Sequence, residues 1–346
     1  MMRLHHLVLA ALVIAPALAG CREGADTGAG AMREPLVIYS GRSETLVEPL
    51  LQLFREQTGI VVEARYGSDA ELLAQMREEG AASPADVYWA NTTGALVEAD
   101  AAGLYAAAPE SLRALPDAFL PEAGRWLPAT VRFRVLAYSP ARVDSSTLPS
   151  SVMDLPRQAS LRGRVGWTPT YSSFQDFISG MRALHGDDAT GAWIEGMKEL
   201  APRAYPSNTP MLEALVAGEI DVALTNHYYV YRVLRDTARS DGRAPVAVHT
   251  FAPGDVGNLA LVTGAGVLNT SSQPELAQRF LSFLLSAAAQ TSAAETVHEY
   301  PVVGGAALPA YLLPFERAVS LSPTIDLARL TDLEGTLRIL RDADLL

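Results

Sequence analysis

Two adjacent tyrosines, Tyr228 and Tyr229, are the residues of this sequence whose types and spacing point most directly to chemistry. They follow Asn226 and His227 in the stretch NHYYVYR, residues 226–232. Tyrosine is common in half-buried strands and helices, so side-chain packing is one interpretation of the pair. The other interpretation is that two phenolate oxygens converge on one metal ion. The surrounding sequence has to distinguish the two.

The chemistry of a phenol restricts which metal such a pair would bind. A tyrosine, with a reference pKa of about 10, must lose its proton before it can ligate a metal. Only a hard, strongly charged cation drives that loss near neutral pH, and Fe³⁺ fits. Ca²⁺ and Mg²⁺ prefer carboxylates and carbonyl oxygens, whereas zinc prefers histidine or cysteine, for which His227 alone is a poor start. The metal interpretation therefore indicates ferric iron.

The local sequence places the tyrosine pair at a change of secondary structure. Successive side chains of a strand point to opposite faces, so two adjacent tyrosines within a strand would not share a ligand. Here a strand-like run, IDVALT (220–225), precedes the pair, and a helix-like run, VYRVLRD (230–236), follows it. At such a strand-to-helix corner, both phenols can point into a cleft beyond the strand end.

Residues 35–90 alternate between strand patterns and helix patterns. The order is strand 35–41, helix 43–59, strand 60–67, helix 68–80 and strand 85–90. This alternation predicts a parallel sheet covered by helices, which binds ligands at the carboxyl ends of its strands. We therefore expect one wall of a cleft to be lined by Gly41–Glu44, Gly67–Asp69 and Ala90–Thr93.

The second half of the sequence predicts a second lobe. Residues 163–186 read as strand, turn and helix, and Ser172 and Ser173 would expose backbone N–H groups at the helix start, a natural anion site. Two β-rich runs, 126–140 and 256–268, are the predicted connections between lobes. We predict an α/β fold of two lobes with hinge strands between them, because over three hundred residues favour two cores. The predicted lobes are 35–133 with 260–310, and 134–259 with 311–346.

The amino-terminal residues indicate a secretion signal. In residues 1–20, Arg3 is the only charged side chain and precedes an apolar run. Leu18–Cys21 resembles a lipobox, which implies cleavage before Cys21 and lipidation of that cysteine. Residues 21–34 are small and polar, which predicts a flexible tether. We expect a lipoprotein that is anchored to a membrane of the cell envelope and faces the periplasm.

Composition and missing motifs exclude several other classes. Cys21 is the only cysteine, so an internal disulfide and any cysteine-cluster metal site are excluded. The formal net charge is −12 and no basic stripe is present, which argues against a nucleic-acid partner. Neither G-x-S-x-G nor H-E-x-x-H occurs, so we expect no enzyme. An enzyme of the cell envelope that uses a triad without these motifs stays open as an alternative.

Nearly the whole mature chain resembles the bacterial ferric-ion-binding proteins, the substrate-binding subunits of iron ABC importers. Its most specific piece is NHYY, whose two tyrosines bind Fe³⁺ in that family. The stretches VIYSGRSE, SPADVYWA and GRVGWTPTYSSFQDF are also similar to family sequences. The resemblance implies a two-lobed periplasmic-binding-protein fold of type II. It also implies a monomer that delivers iron to a permease in the inner membrane.

The resemblance implies a ligand set as well. Tyr228 and Tyr229 would bind Fe³⁺ together with a synergistic anion, phosphate or carbonate. The residues that match the anion-holding positions of the family are Ser172, Ser173, Asn208 and Asn226. Tyr171, in the same turn as the serines, matches a backbone contributor and is a candidate third phenolate.

Four positions depart from the family pattern. Some members have a histidine and a glutamate where this sequence has Ser43 and Asn91. Others have a further tyrosine at the positions of Glu44 and Gln175. The sequence thus supports two phenolates, with Tyr171 and Glu44 as candidate additional ligands. These departures also keep an alternative open, in which the same fold binds a small anion such as an organic phosphonate or phosphate ester.

Several other residues have simpler expected roles. Asn208 is expected to cap the helix that follows it, and His227 to form local hydrogen bonds. Arg132 and Arg134, which share a strand face, and Arg42 are the best basic candidates near the cleft. For these arginines an anion contact and a surface salt bridge are equally compatible with the sequence.

Overall fold

The computed structural model describes residues 34–115, 119–121, 123–237, 244–330 and 332–346. The predicted signal, the lipidation site at Cys21 and nearly all of the tether lie outside the described residues. Within the described ranges, no helix combines the length and the apolar composition that crossing a bilayer requires.

The described strands form one mixed sheet in two parts. They are β1 (Leu36–Ser40), β2 (Val62–Tyr66), β3 (Val87–Ala90), β4 (Leu127–Tyr138), β5 (Val165–Trp167), β6 (Arg203–Ala204), β7 (Val222–Asn226), β8 (Ala247–His249), β9 (Ala260–Val267) and β10 (Tyr300–Pro301). The strand order is β2-β1-β3-β9-β4-β7-β5-β6, and β8 and β10 also pair with β4.

Helices cover both parts of the sheet. They are α1 (Glu44–Thr58), α2 (Asp69–Glu79), α3 (Thr93–Ala101), α4 (Ser172–His185), α5 (Asp187–Glu199), α6 (Asn208–Ala217), α7 (His227–Thr237), α8 (Pro274–Leu284), α9 (Ala287–Ser292), α10 (Phe315–Leu321) and α11 (Leu333–Asp342).

The first part of the sheet has the predicted parallel arrangement. Strand β1 pairs in parallel with β2 on one side and β3 on the other. Helix α1 buries one apolar face and ends at Gly59, whose left-handed backbone suits glycine. Helix α2 begins with a capping box, in which Ser68 and Glu71 exchange side-chain and backbone hydrogen bonds. These local signals explain why the alternation of strands and helices in residues 35–90 is predictable from the sequence.

Strand β4 belongs to both parts of the sheet. Its first half, up to Phe133, pairs antiparallel with β9, and its second half, from Arg134, pairs antiparallel with β7. Separate apolar cores lie on either side of this changeover. The first part of the sheet has one cluster around Trp89 and another around Trp126, and the second part has a cluster around Trp193. The prediction of two α/β lobes joined by hinge strands is confirmed, whereas the lobe boundaries proposed above stay predictions.

Gly264 of β9 provides a test of how tightly the hinge strands pack. A Cβ at this position would lie 2.6 Å from the carbonyl oxygen of Leu127 and 2.9 Å from a methyl carbon of Leu96. We expect Gly264→Ala to lower the free energy of unfolding by about 1–3 kcal/mol, because backbone has to move. Urea unfolding followed by tryptophan fluorescence measures the change.

Gly191 is the matched control, since it lies within α5 and a Cβ there would have open space. Gly191→Ala should raise the free energy of unfolding by about 0.5–1 kcal/mol, as expected for alanine in a helix. Equal effects of the two substitutions would contradict the packing argument.

Candidate functional site

Tyr228 and Tyr229 lie at the predicted corner. Strand β7 ends at Asn226 and α7 begins at His227, so the pair occupies the first turn of the helix. Their ring centroids are 4.2 Å apart and the rings are tilted by 30°. Both are buried, with 2% and 6% of their surface exposed. The two rings therefore point the same way, which a continued strand would not allow.

A third phenol joins the pair from the other predicted turn. The Tyr171 hydroxyl lies 3.1 Å from the Tyr229 hydroxyl, with Tyr171 immediately before α4. Burial raises the pKa of all three tyrosines. A neighbouring phenol raises each pKa further, whereas nearby arginines lower the pKa of Tyr171 and Tyr228, and the hydrogen bond with Tyr171 lowers that of Tyr229. In the free protein these phenols are therefore protonated near neutral pH, and a strongly charged cation would be needed to displace the protons.

Three buried arginines surround the phenols. Arg42 follows β1, and Arg132 and Arg134 lie two apart on β4, at its changeover between the two parts of the sheet. Each is at most 3% exposed. Of the two alternatives that the sequence left open for these arginines, the surface salt bridge is therefore wrong.

Arg42 is neutralised by a carboxylate. Its two terminal nitrogens donate to Glu299 at 2.9 and 2.7 Å, and Nη1 also donates to Thr130 and Thr263. Burial opposes ionisation of both groups, but their mutual attraction raises the pKa of Arg42 and lowers that of Glu299. The pair therefore stays charged and ties β1 to the strands β4 and β9.

Arg132 and Arg134 have no carboxylate within ion-pair distance among the described residues. Arg132 donates to the backbone oxygen of Asn91, and Arg134 donates to Asn226 Oδ1 at 3.0 Å and stacks on Phe177. Burial and the adjacent Arg132 lower the pKa of Arg134 to about 9. Several buried donors have no hydrogen-bond partner in the part of the chain that the structure describes: Nε and Nη1 of Arg132, Nη2 of Arg134, Nδ2 of Asn226 and Nε of Arg42. Such donors are suited to an anion.

The residues predicted to hold an anion lie together at the same place. Asn208 Nδ2 donates to Ser173 Oγ at 3.3 Å, and Asn208 Oδ1 accepts from Thr225 at 3.2 Å. Ser172 Oγ accepts from Asn91 Nδ2 at 3.0 Å. The expected helix cap by Asn208 is wrong, because Asn208 is the first residue of α6 and its side chain bonds other elements.

His227 bonds across the hinge instead of locally. Its Nδ1 accepts from the backbone N–H of Phe133 at 3.1 Å, and its Nε2 lies 2.9 Å from the carbonyl oxygen of His298. Burial lowers the pKa of His227 to about 4, so the ring is neutral at pH 7. With both nitrogens occupied, His227 fixes the start of α7 and offers no lone pair to a metal. The expectation of local hydrogen bonds was wrong.

The candidate ligand Glu44 lies apart from this cluster. It is exposed at the first position of α1, near Tyr66, whose pKa is raised to about 12 by burial and by the adjacent acids. Within the described ranges, no three side chains of histidine, cysteine, aspartate or glutamate are grouped as a metal site. Tyrosine is thus the residue type that the fold gathers here, while a role for Glu44 stays a prediction.

A cavity of about 490 Å³ opens beside Tyr171, whereas Tyr228 and Tyr229 are not among the residues that line it. Its lining includes Gly41, Gly67 and Asn91 from the carboxyl ends of β1, β2 and β3, together with Tyr171 and Ser172. The prediction that these strand ends form one wall of a cleft is confirmed, and the start of α4 forms the facing wall.

A sequence profile of the bacterial extracellular solute-binding proteins matches residues 36–296. The chain belongs to this family. The Fe(3+)-binding periplasmic protein of Serratia marcescens is 31% identical over 313 residues, which cover 90% of each chain. The major ferric iron-binding protein of Neisseria meningitidis serogroup B is 29% identical over 77% of this chain and 80% of that protein.

Solved structures agree with this assignment. Iron-bound HitA from Pseudomonas aeruginosa superimposes with a TM-score of 0.82 at 33% identity, over 89% of this chain and 99% of that one. The predicted type II periplasmic-binding-protein fold is confirmed by this similarity. The prediction that the chain is a binding protein and not an enzyme is confirmed by its family.

Two charged residues of the site were missed by the sequence analysis. Glu299 gives no spacing signal, because its partner Arg42 is 257 residues away. Asp176 did give a weak signal, since it shares a buried face of α4 with Ser179 and so interrupts an apolar stripe.

The Arg42–Glu299 pair yields a stability prediction. Glu299→Leu leaves a buried guanidinium without its counter-ion, so we expect the free energy of unfolding to fall by about 3–5 kcal/mol. In the double variant Arg42→Met, Glu299→Leu, most of this loss should be recovered, since neither charge remains. Urea unfolding of the ligand-free protein gives both values. A single variant within about 1 kcal/mol of wild type would show that the pair is not a buried ion pair in solution.

Proposed function

We propose that this chain captures ferric iron in the periplasm as the substrate-binding subunit of an ABC importer. Tyr228 and Tyr229 are the proposed iron ligands, and Tyr171 is the proposed third. The observation that carries the proposal is the convergence of three phenols, two buried and that of Tyr171 half-buried, beside cationic side chains that stabilise phenolates. The names of the Serratia, Neisseria and Pseudomonas relatives support the same ligand.

Charge balance supports a synergistic anion at this site. Three phenolates neutralise Fe³⁺, and Arg42 is already neutralised by Glu299. Arg132 and Arg134 then bring two buried positive charges. The Asp176 carboxylate, which interacts with both arginines, offsets one of them, and an anion would balance the remainder. We propose carbonate or phosphate in this role, held by Asn226, Asn208, Ser172 and Ser173 together with the free donors of the arginines.

The bound iron would then have to be delivered to a membrane permease. We propose that the chain acts as a monomer, is anchored by a lipid at Cys21 and presents its closed, iron-loaded form to an inner-membrane permease. The tether predicted for residues 21–34 would let the binding domain reach both solvent and permease.

A small organic anion is the second candidate ligand. The unpartnered guanidinium donors and the start of α4 favour it, because both suit a phosphonate or phosphate ester without any metal. The two candidates differ in what the phenols do, since only iron requires them to ionise.

The tyrosine pair provides the decisive test. Mixing wild-type protein with Fe³⁺ should give a red-orange charge-transfer band, as phenolate ligands do. Tyr228→Phe, Tyr229→Phe should abolish the band and weaken iron binding at least about a hundredfold, or roughly 2.8 kcal/mol. Tyr171→Phe should shift or weaken the band if the third phenolate binds. Ultraviolet–visible titration with metal analysis measures both quantities.

Tyr105→Phe is the matched control, because Tyr105 is also a buried tyrosine but lies in the first core, packed on Tyr88. It should leave the band and the iron stoichiometry unchanged. If the double variant retained wild-type iron stoichiometry, the assignment of iron to these tyrosines would be wrong.

The arginine donors provide a separate test of the anion. Phosphate should stabilise the iron-free protein against thermal unfolding, by about 2.7 kcal/mol at a hundred times its dissociation constant. Arg132→Met, Arg134→Met should remove this stabilisation, and chloride at equal ionic strength should not produce it. A phosphate effect that survives in the double variant would place the anion elsewhere.

A further inference from the structure

Away from the phenols, the two walls of the cleft also meet where α3 faces α4. Helix α3 begins at Thr93, directly after the carboxyl end of β3 in the first part of the sheet. Helix α4 belongs to the second part and packs on α3 through its own first turns. The contacts described below therefore join the two parts of the sheet.

The carboxylate of Asp176 bonds the start of α3 across this interface. Its Oδ2 accepts from the backbone N–H of Thr93 at 3.4 Å, and the backbone N–H of Gly94 also donates to the carboxyl group. Asp176 is 4% exposed. A buried carboxylate at a helix start gains from the orphan N–H groups and from the helix dipole.

Helix α3 already has its own cap within the first lobe. Thr92 accepts from the backbone N–H of Ala95, and Asp69 holds Thr92 through its backbone N–H and its hydroxyl group. This cap does not bond the backbone N–H groups of Thr93 and Gly94. Both of these N–H groups donate to the carboxylate of Asp176. The second lobe thus supplies a hydrogen-bond acceptor for N–H groups at the start of α3 that the cap in the first lobe does not bond.

The start of α3 also lies close to the segment that precedes α11, where little space is left for a side chain at Gly94. A Cβ at Gly94 would lie 3.0 Å from the carbonyl oxygen of Leu330 and 3.7 Å from Asp176 Oδ1. Beside this contact, Asn91 Nδ2 donates to Ser172 Oγ at 3.0 Å. We call Asn91, Thr93, Gly94, Ser172 and Asp176 the interlobe clasp.

We propose that Asp176 is a positioning residue that holds the lobes closed over the bound ligand and thereby sets how fast the ligand leaves. The part concerning iron rests on the function proposed above, whereas the closure itself does not. Opening the cleft would return the N–H groups of α3 and the carboxylate to water, so the clasp stabilises only the closed form.

The electrostatics of Asp176 agree with this role. Burial raises the pKa of its carboxyl to about 6, although Arg132 and the two backbone N–H groups lower it. Asp69 lies near enough to raise the pKa as well. At pH 7 the carboxyl is therefore ionised, and it bonds α3 as an anion.

Iron release gives the first experiment. Iron-loaded protein is mixed with excess chelator, and the decay of the charge-transfer band gives the release rate. We expect release to be about 3- to 30-fold faster in Asp176→Ala, with a smaller increase in Asp176→Asn, whose amide oxygen can still accept. The wavelength of the band should stay unchanged, because the iron ligands are untouched.

Asp86→Asn is the matched control. Asp86 is also a buried aspartate that accepts backbone N–H groups, but its partners Val37, Ser271 and Gln273 lie in the first lobe. This variant should lose stability without faster release. Equal release rates in Asp86→Asn and Asp176→Ala would show that Asp176 acts through general stability, which would overturn the proposal.

A metal-free measurement separates this proposal from the proposed function. Spin labels at Glu78→Cys in α2 and Glu195→Cys in α5, in a Cys21→Ser background, report the distance between the lobes. Asp176→Ala should shift the distribution towards longer distances. If the wild-type protein did not bind iron but Asp176→Ala still gave longer distances, only the proposal that iron is the ligand would be rejected. Wild-type distances in Asp176→Ala would reject the clasp.

Discussion

The burial of Arg132 and Arg134 without a carboxylate partner is the constraint on which the rest of the site depends. Each uncompensated buried charge is unfavourable by several kcal/mol, far more than one ordinary hydrogen bond contributes. A fold keeps such charges only when something offsets them. Under the function proposed above, a bound anion would supply that offset, next to the phenols and the amide nitrogen of Asn226.

Local patterns made the elements of the fold predictable. The alternation of strands and helices up to β3 follows from apolar spacing, from the capping box at Ser68 and from the helix stop at Gly59. The corner at Tyr228 and Tyr229 followed from the change of pattern on either side of the pair. By contrast, β6, β8 and β10 have two or three residues each and depend on pairing with distant strands.

The network that surrounds the tyrosines was not predictable in the same way. His227 bonds residues that are 94 and 71 positions away, and Arg42 bonds Glu299 across 257 positions. No spacing in the sequence encodes such partners, because they are brought together only by the crossing of β4 and β9. Tyr171 illustrates the intermediate case, since its turn was recognisable but its hydroxyl contact with Tyr229 needed the fold.

The changeover of β4 has a consequence for how a ligand would first be captured. Because this strand runs unbroken through both halves, the two guanidinium groups stay at the pivot whatever the opening angle. If the cleft opened about β4, these guanidinium groups would lie at the base of a groove filled with water, as a local region of positive potential on a chain whose net charge is −12. Attraction of an anion into that region is short-ranged, since the surrounding negative surface and dissolved salt confine its field to roughly 10 Å.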